Sequence, residues 1–290
     1  MIKKFIDIKD LSIKEIKKIL NLSNSNIKNN CLKNKTIGLA FDNPSTRTRI
    51  SFIRNIVDLK GNFLELDMNK LNLSRYETLE DTATMFALYL DGFIFRSNKH
   101  SKLELFSNNF RKPVINAMTD ISHPCQAISD YYTLTSHFKI KKIKIIWLGD
   151  ITNVLMSLID LANKLKIFDI HIVSSKNIIK KKRIEENSHI KLFDEIPFKL
   201  LNKYHCVMTD TFSSMNDKYS KNKISILKKF QVNESVMKFT NSNCVFMHCL
   251  PAKIGSEVTR DIIYGKKSIV TKQAKNRMIV QKGILKWLGI

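Results

Sequence analysis

No stretch of this sequence approaches the ~20 consecutive apolar residues that a membrane-spanning helix needs, so no membrane partner is expected. The first residues, Met1 to Asp7, lack the apolar core of a signal peptide, which leaves a cytoplasmic location as the expectation. Cysteine is sparse and badly spaced for cross-linking. Cys31, Cys125, Cys206, Cys244 and Cys249 are odd in number and never form C-x-x-C. Neither a disulfide framework nor a structural zinc site is expected from them, and most read as small buried hydrophobes. Arginine is scarce as well, nine of the 49 basic residues. What remains is ordinary for a globular chain: 43% hydrophobic, 26% charged, and at 290 residues long enough for two domains.

A net charge of +23 suggests nucleic acid at first sight. The lysines, however, are scattered among abundant Ile and Asn, a composition that drift toward AT-rich codons produces without any DNA partner. The densest run, Lys180 to Arg183, is followed by Glu185 and Glu186 and reads as a solvated helix face. No nucleic-acid recognition motif is present, so nucleic acid is not expected as a partner. The few arginines carry more information. Arg47, Arg49, Arg96 and Arg277 lie inside polar motifs, where lysine could not supply the same planar fork.

Strand-like and helix-like segments alternate from end to end, which predicts an α/β fold of two doubly wound parallel-sheet domains. Strands are expected at Lys35–Phe41, Asn62–Leu66, Gly92–Phe95 and Pro113–Asn116, with helices at Ile50–Leu59, Leu79–Leu90 and Gln126–His137. A second cycle begins at Lys141: strands at Ile143–Leu148, Ile170–Val173, His205–Met208 and Cys244–Met247, a helix at Val154–Leu165 and a last helix at Ala274–Leu288. The boundary is placed at 133/134, with 274–290 returning to the first domain. Ligands of open α/β sheets bind beyond the carboxyl ends of the strands. Polar motifs fall at six such ends, which predicts a site in the cleft between the two domains.

The densest of these motifs is Ser45-Thr46-Arg47-Thr48-Arg49, preceded by Asn43-Pro44. A helix starting here, with Ser45 or Thr46 as N-cap, would present unpaired N–H groups and a positive dipole end beside two guanidiniums. That is an anion cradle; the alternative is a capped surface helix with two solvated arginines. Arg96 ends a strand and would be costly to bury unpaired, which favours an anion ligand. His123-Pro124-Cys125-Gln126 offers an imidazole and an amide three residues apart, able to stabilise a developing charge or simply to cap a helix.

In the second half, Gly149-Asp150-Ile151-Thr152-Asn153 lacks the G-x-G-x-x-G spacing, so a dinucleotide site is disfavoured, and Asn153 suits a hydrogen bond to a carboxylate instead. Asp210, Ser213, Ser214 and Met215 suit the ammonium and carboxylate of an amino acid. In His248-Cys249-Leu250-Pro251 the histidine is expected to point to the face opposite the cysteine. Cys249 is then a residue that positions a substrate amine, or a buried thiol, more than a covalent nucleophile. Asn276-Arg277 in the last helix adds one more guanidinium, whose alternative is surface charge.

Together these motifs resemble the aspartate/ornithine carbamoyltransferase superfamily, its ornithine branch above all. Asp81-Thr82-Ala83, Asp91-Gly92, Thr209-Asp210-Thr211-Phe212 and Ser214-Met215 extend the resemblance over nearly the whole chain. It implies an enzyme that carries the carbamoyl group of carbamoyl phosphate to the δ-amine of L-ornithine, giving citrulline and phosphate in arginine metabolism. Residues 1–133 would bind carbamoyl phosphate through Ser45, Thr46, Arg47, Thr48, Arg96, His123 and Gln126, with Arg277 of the returning last helix, Cys249 and Leu250 contributing. Residues 134–273 would bind ornithine through Asn153, Asp210, Ser214 and Met215. Arg96, His123, Cys249 and Asp210 are the implied catalytic groups. The resemblance also implies a homotrimer and no metal or organic cofactor.

The His-Cys-Leu-Pro run separates this sequence from aspartate enzymes, which carry proline in place of the cysteine. Enzymes acting on N-acetyl- or N-succinylornithine share that run and differ around Asn153 and Asp210; they are the alternative. A basic nucleic-acid-binding protein on the same fold is a remoter one. Three departures from the family pattern stand out: Asn216 after Ser-Met, Tyr76 before Glu77, and Lys272 and Lys275 near Arg277.

Overall fold

Short strands, apolar on both faces, alternate with amphipathic helices along the chain, and this alternation builds two parallel sheets. The structure, a computed structural model, describes residues 2–27, 29–68, 76–212 and 220–290. It divides into two compact units, 1–132 with 276–290, and 133–275. The division runs through α5 (Pro124–His137) and α11 (Val270–Leu288).

The first unit holds β1 (Thr36–Phe41), β2 (Asn62–Leu66), β3 (Gly92–Arg96) and β4 (Val114–Met118), in the order β2-β1-β3-β4. Its helices are α1 (Ile13–Asn24), α2 (Thr46–Asp58), α3 (Leu79–Tyr89), α4 (His100–Phe110) and the first part of α5. α1 and α3 begin in capping boxes, Ser12 with Glu15 and Thr78 with Asp81. Phe93, Phe95, Phe106 and Phe110 pack ring to ring between β3 and α4. Each is fully buried, contributing about 1.5–3 kcal/mol by area alone. The C-terminal part of α11 lies against α1 at Gly283, where a Cβ would stand 2.5 Å from the Ile19 carbonyl oxygen. Nearby, the buried Lys286 donates to the Ser25 carbonyl at 2.7 Å.

The second unit holds β5 (Ile143–Leu148), β6 (Phe168–Val173), β7 (Ile190–Phe193), β8 (Cys206–Thr209) and β9 (Val245–His248), in the order β7-β6-β5-β8-β9. Its helices are α6 (Asn153–Leu165), α7 (Lys176–Lys182), α8 (Ser220–Leu227), α9 (Glu234–Lys238), α10 (Arg260–Ile263) and the start of α11, with a 3-10 helix at Phe198–Lys203. After β5 the chain turns at Gly149, whose φ of 107° suits glycine; a Cβ there would stand 2.1 Å from Phe212. Among the described residues no helix is long and apolar enough to cross a membrane.

Candidate active site

In the first unit, the carboxyl ends of β1, β3 and β4 release the chain into α2, the Arg96 turn and the His123 turn. α2 starts at Thr46, so the N–H groups of Thr46, Arg47 and Thr48 lie in its first turn without intrahelical acceptors. Ser45 is the N-cap, but its side chain makes no capping bond; its Oγ accepts from Arg96 Nη1 at 2.9 Å instead. The N-cap position is the expected one; the capping bond is what is missing. The hydroxyl is diverted because a guanidinium reaches it from the next strand. Thr48 is buried, while Thr46 and Arg47 are exposed.

Arg49 does not join this group. Its Nε pairs with Glu65 Oε2 at 3.2 Å on β2, and its guanidinium covers the Phe41 ring at 5.1 Å. The cradle therefore offers Arg47 alone from its two arginines, because Arg49, two positions on, faces the edge strand. Asp42 braces the same corner: it accepts from Ser97 Oγ and the Asn98 N–H, each at 3.1 Å, and pairs with Lys102 at 2.9 Å.

His123 is buried at 3% exposure in the turn before α5. Burial, then the charges of Arg277 and Arg96, hold its imidazole well below the ordinary histidine value. It is a neutral ring in a field of positive charge, a setting that favours an incoming anion. Arg277, on α11, donates from Nη1 to Gln126 Oε1 at 2.9 Å, and Gln126 Nε2 donates to Asp130 Oδ1 at 2.8 Å. Asp130 has no exposed surface. The sequence reading passed over it, since an aspartate one turn after Gln126 looks like any helix residue. Its i,i+4 spacing from Gln126 is the signal that could have found it. Burial raises the neighbouring Cys125 thiol to about 12, so it is an inert hydrophobe.

In the second unit, the ends of β5, β8 and β9 supply the polar groups. Asp210 follows β8 and is buried at 5% exposure. Its Oδ1 accepts from the Thr211 N–H at 2.8 Å and from the Cys249 thiol at 3.0 Å. Asn153 is the first residue of α6, behind Thr152. Asp150 is braced rather than open: Lys223 of α8 pairs with it at 2.5 Å and the Ile151 N–H donates at 2.9 Å. Burial nonetheless raises its carboxyl above the usual value. Ser214 and Met215, with Ser213 and Asn216, lie outside the described residues.

His248 does not point away from Cys249 as its strand position suggests. β9 ends at His248, and Leu250 takes a left-handed backbone, φ 58°, which curls the chain back. The Leu250 N–H donates to His248 Nδ1 at 2.8 Å, so the proton of the neutral ring is on Nε2, 3.4 Å from Glu257 Oε1. Glu257 has no exposed surface and accepts from the Lys253 N–H. It too went unremarked in the sequence.

Asp210, His248 and Cys249 bring a carboxylate oxygen, a ring nitrogen and a thiol within 4.8 Å of one another. Of the two His248 nitrogens, Nδ1 accepts from the Leu250 N–H, while Nε2 lies 3.4 Å from Glu257 Oε1 without a hydrogen bond. The described residues thus place Ser45 with Arg96, His123 with Gln126 and Arg277, and Asp210 with Cys249.

Two family models cover the chain. One, described as the carbamoyl-P binding domain of aspartate/ornithine carbamoyltransferase, matches residues 3–136, and the Asp/Orn binding domain of the same family matches 141–288. An ornithine carbamoyltransferase of Bradyrhizobium diazoefficiens is 36% identical over 98% of this chain and 96% of its own. That of Sulfolobus acidocaldarius is 37% identical, over 98% and 97%. Among solved structures, ornithine carbamoyltransferase from Pyrococcus furiosus superposes with a TM-score of 0.87 at 32% identity, covering 98% of this chain and 96% of that one.

Proposed function

The chain belongs to the aspartate/ornithine carbamoyltransferase family, and from that premise we propose how its two clusters divide the work of moving a carbamoyl group to ornithine. The family model for residues 3–136 is a carbamoyl-phosphate domain, and that for 141–288 an amino-acid domain. The reaction is transfer from carbamoyl phosphate to ornithine, giving citrulline and phosphate. Arg47 and the α2 N-terminus take the phosphate, helped by Ser45, Thr46 and Thr48. Arg96, His123 and Arg277 surround the carbamoyl end, with Gln126 on its amide. Asn153 and Asp210 hold ornithine, as do Ser214 and Met215 by family resemblance.

The chemistry follows from these placements. A free δ-amine is protonated near neutral pH, since an alkyl ammonium titrates near about 10.4. It must lose a proton before its nitrogen can bond to the carbamoyl carbon. Asp210, already accepting from the Cys249 thiol at 3.0 Å, is the carboxylate suited to hold that ammonium and receive its proton. Attack places negative charge on the carbamoyl oxygen, which Arg96, Thr48 and the neutral His123 stabilise. Collapse breaks the C–O bond to phosphate, which leaves with the electron pair toward Arg47 and takes up the second proton that the attacking nitrogen sheds. Cys249 and Leu250 act by position, holding amine and amide, and no covalent enzyme intermediate is needed.

The observation that carries this reading is the buried, neutral His123 beside Arg277 and Arg96. The test is ureido-product formation from carbamoyl phosphate with ornithine, N-acetylornithine, N-succinylornithine and aspartate in parallel. Citrulline from ornithine alone is expected. Product from an acylated ornithine alone would overturn the roles given to Asp210 and Ser214 while leaving the phosphate site intact.

Assembly into a homotrimer is part of the proposal. β2, the edge strand of its sheet, leaves Phe63 and Leu64 40% and 49% exposed, and α3 leaves Leu88 and Tyr89 69% and 70% exposed. A bare apolar edge is one that another copy would cover. Light scattering on the purified chain tests it; a monomeric mass rejects it. Citrulline formation in the cytoplasm, in the direction of arginine biosynthesis, completes the reading.

A further inference from the structure

Parallel sheets carry apolar side chains on both faces because helices cover both. One face of the second unit's sheet breaks that rule. Lys144 pairs in register with Asp169, and His171 with Lys191. Side chains alternate along strands, so these four share one face of β5, β6 and β7. The same face carries Ile146, Leu148 and Val173 farther along, which are fully buried. The cover is deficient at the charged end. The connection from β7 to β8 contains only the six-residue 3-10 helix Phe198–Lys203, about 12 Å long at about 2 Å per residue. Beneath it lies a cavity of about 310 Å³, lined by Lys144, Lys191, Lys203, His171 and Tyr204 and also by Asp169 and His189.

The charges in this cavity do not balance. Asp169 is already paired with Lys142 and hydrogen-bonded to His189 Nδ1, each at 3.1 Å. Lys144, Lys191 and Lys203 pair with no carboxylate among the described residues. Three lysines without a carboxylate partner thus line one concavity. Its inner wall is an imidazole and a phenol joined at 2.6 Å, His171 Nδ1 to Tyr204 O–H. Burial, then Lys191, lowers His171, and burial raises Tyr204 to about 12. The phenol therefore keeps its proton, and ring and phenol share one hydrogen bond whose donor is set by the ring's tautomer. In a chain with excess lysine, unpaired lysines by themselves mean little. Their convergence on a cavity with a polar floor, on a sheet face that is elsewhere sealed, means more.

We propose that this cavity binds a small phosphate monoester. Lysines act as point charges toward phosphate oxygens, and three of them match a dianion. The volume exceeds what a phosphate group alone occupies and falls at the lower end of ligand pockets. Leu200, His171 and Tyr204 give the remainder of the ligand apolar and ring surface. The site lies in the second unit, among residues that share nothing with the phosphate-binding cluster of the first.

Calorimetric titration of the full chain with inorganic phosphate, ribose 5-phosphate and adenosine 5′-monophosphate tests this. The same titrations are run on Arg47→Ala, which disables the first-unit cluster, and on Lys144→Glu/Lys203→Glu. An ester bound about once per chain is expected to survive Arg47→Ala and to weaken at least tenfold in the lysine double variant. The double variant should keep its citrulline-forming activity. Lys191→Gln, which removes one charge without adding another, should weaken the same ester by less. Ribose 5-phosphate matching adenosine monophosphate identifies a sugar phosphate as sufficient, and the nucleotide binding alone requires the base. The proposal is overturned if no ester binds at low millimolar concentration. It is equally overturned if binding disappears in Arg47→Ala, or if the lysine variants leave it unchanged.

Discussion

Arg277 donates from Nη1 to the Oε1 of Gln126 at 2.9 Å, although 151 positions separate the two in sequence. That bond settles which way the amide faces. Its nitrogen is left to Asp130, and the buried carboxylate answers the guanidinium through one intervening side chain. Gln126 keeps one N–H and one lone pair for a ligand, and both have fixed directions.

Removing the carboxylate should therefore be felt at the carbamoyl end and little elsewhere. Buried hydrogen bonds to charged groups contribute about 1.5–3 kcal/mol. Asp130→Ala is expected to raise KM for carbamoyl phosphate about 10–100-fold, while KM for ornithine stays within about twofold. Asp130→Asn keeps an acceptor for Gln126 Nε2 and should lose less. Steady-state kinetics with each substrate varied in turn decides it. Equal rises in both KM values would reduce Asp130 to a structural residue.

His123 makes stability depend on pH. Burial, then Arg277 and Arg96, hold it well below its ordinary value. Below about pH 6.5 the unfolded chain binds a proton there that the folded chain refuses, so stability is full above that pH and falls beneath it. The loss is up to about 1.4 kcal/mol per pH unit for one histidine, until the folded ring itself titrates. His171, His205 and His137 are lowered mainly by burial and add to the slope in the same direction. Urea denaturation between about pH 7.5 and about pH 5.5 should show it, with a shallower slope in His123→Gln. An unchanged slope in that variant would mean His123 is charged in the folded protein.

Asp210 and Cys249 act on one proton, and their substitutions should not add. Asp210→Asn is expected to lower kcat by about 10²–10⁴, the range of general acid–base catalysis. Cys249→Ser retains a donor to the carboxylate and should cost less. Because the two groups touch at 3.0 Å, the double variant should be only slightly worse than Asp210→Asn alone. Multiplicative losses in kcat would show two independent functions.

Much of this was legible in the sequence, for reasons that differ by element. Ile143–Leu148 and Asn62–Leu66 are bounded by turn residues and emerge with the expected ends. The start of α2 was legible from its N-cap motif and not from periodicity: it begins at Thr46, four residues before the apolar pattern sets in at Ile50. Its first turn faces a ligand site, so it carries polar residues that periodicity does not count. α4 and β7 were not read at all. α4 mixes polar residues with Leu103, Phe106 and Phe110, and β7 is four residues long. Within the site, arginines and histidines announced themselves by type, but Asp130 and Glu257 did not. Their significance is burial, which emerges only when distant elements pack.

Glu257 offers the sharpest separation between holding a shape and doing chemistry. It touches no proposed substrate position; its Oε1 accepts from the Lys253 N–H and lies 3.4 Å from His248 Nε2 without hydrogen-bonding it. His248 in turn accepts from the Leu250 N–H, at a residue with a left-handed backbone that leucine adopts only at a cost of about 1–2 kcal/mol. Glu257→Ala leaves the Lys253 N–H without its acceptor, a loss of about 1 kcal/mol that should lower the thermal midpoint by a few degrees. If the carboxylate only positions the turn, Glu257→Gln, which keeps an acceptor of the same length, should restore kcat and leave its pH profile unchanged. A Gln variant that folds normally but loses kcat as fully as the Ala variant would make the negative charge, not the shape, the contribution of Glu257 to the reaction.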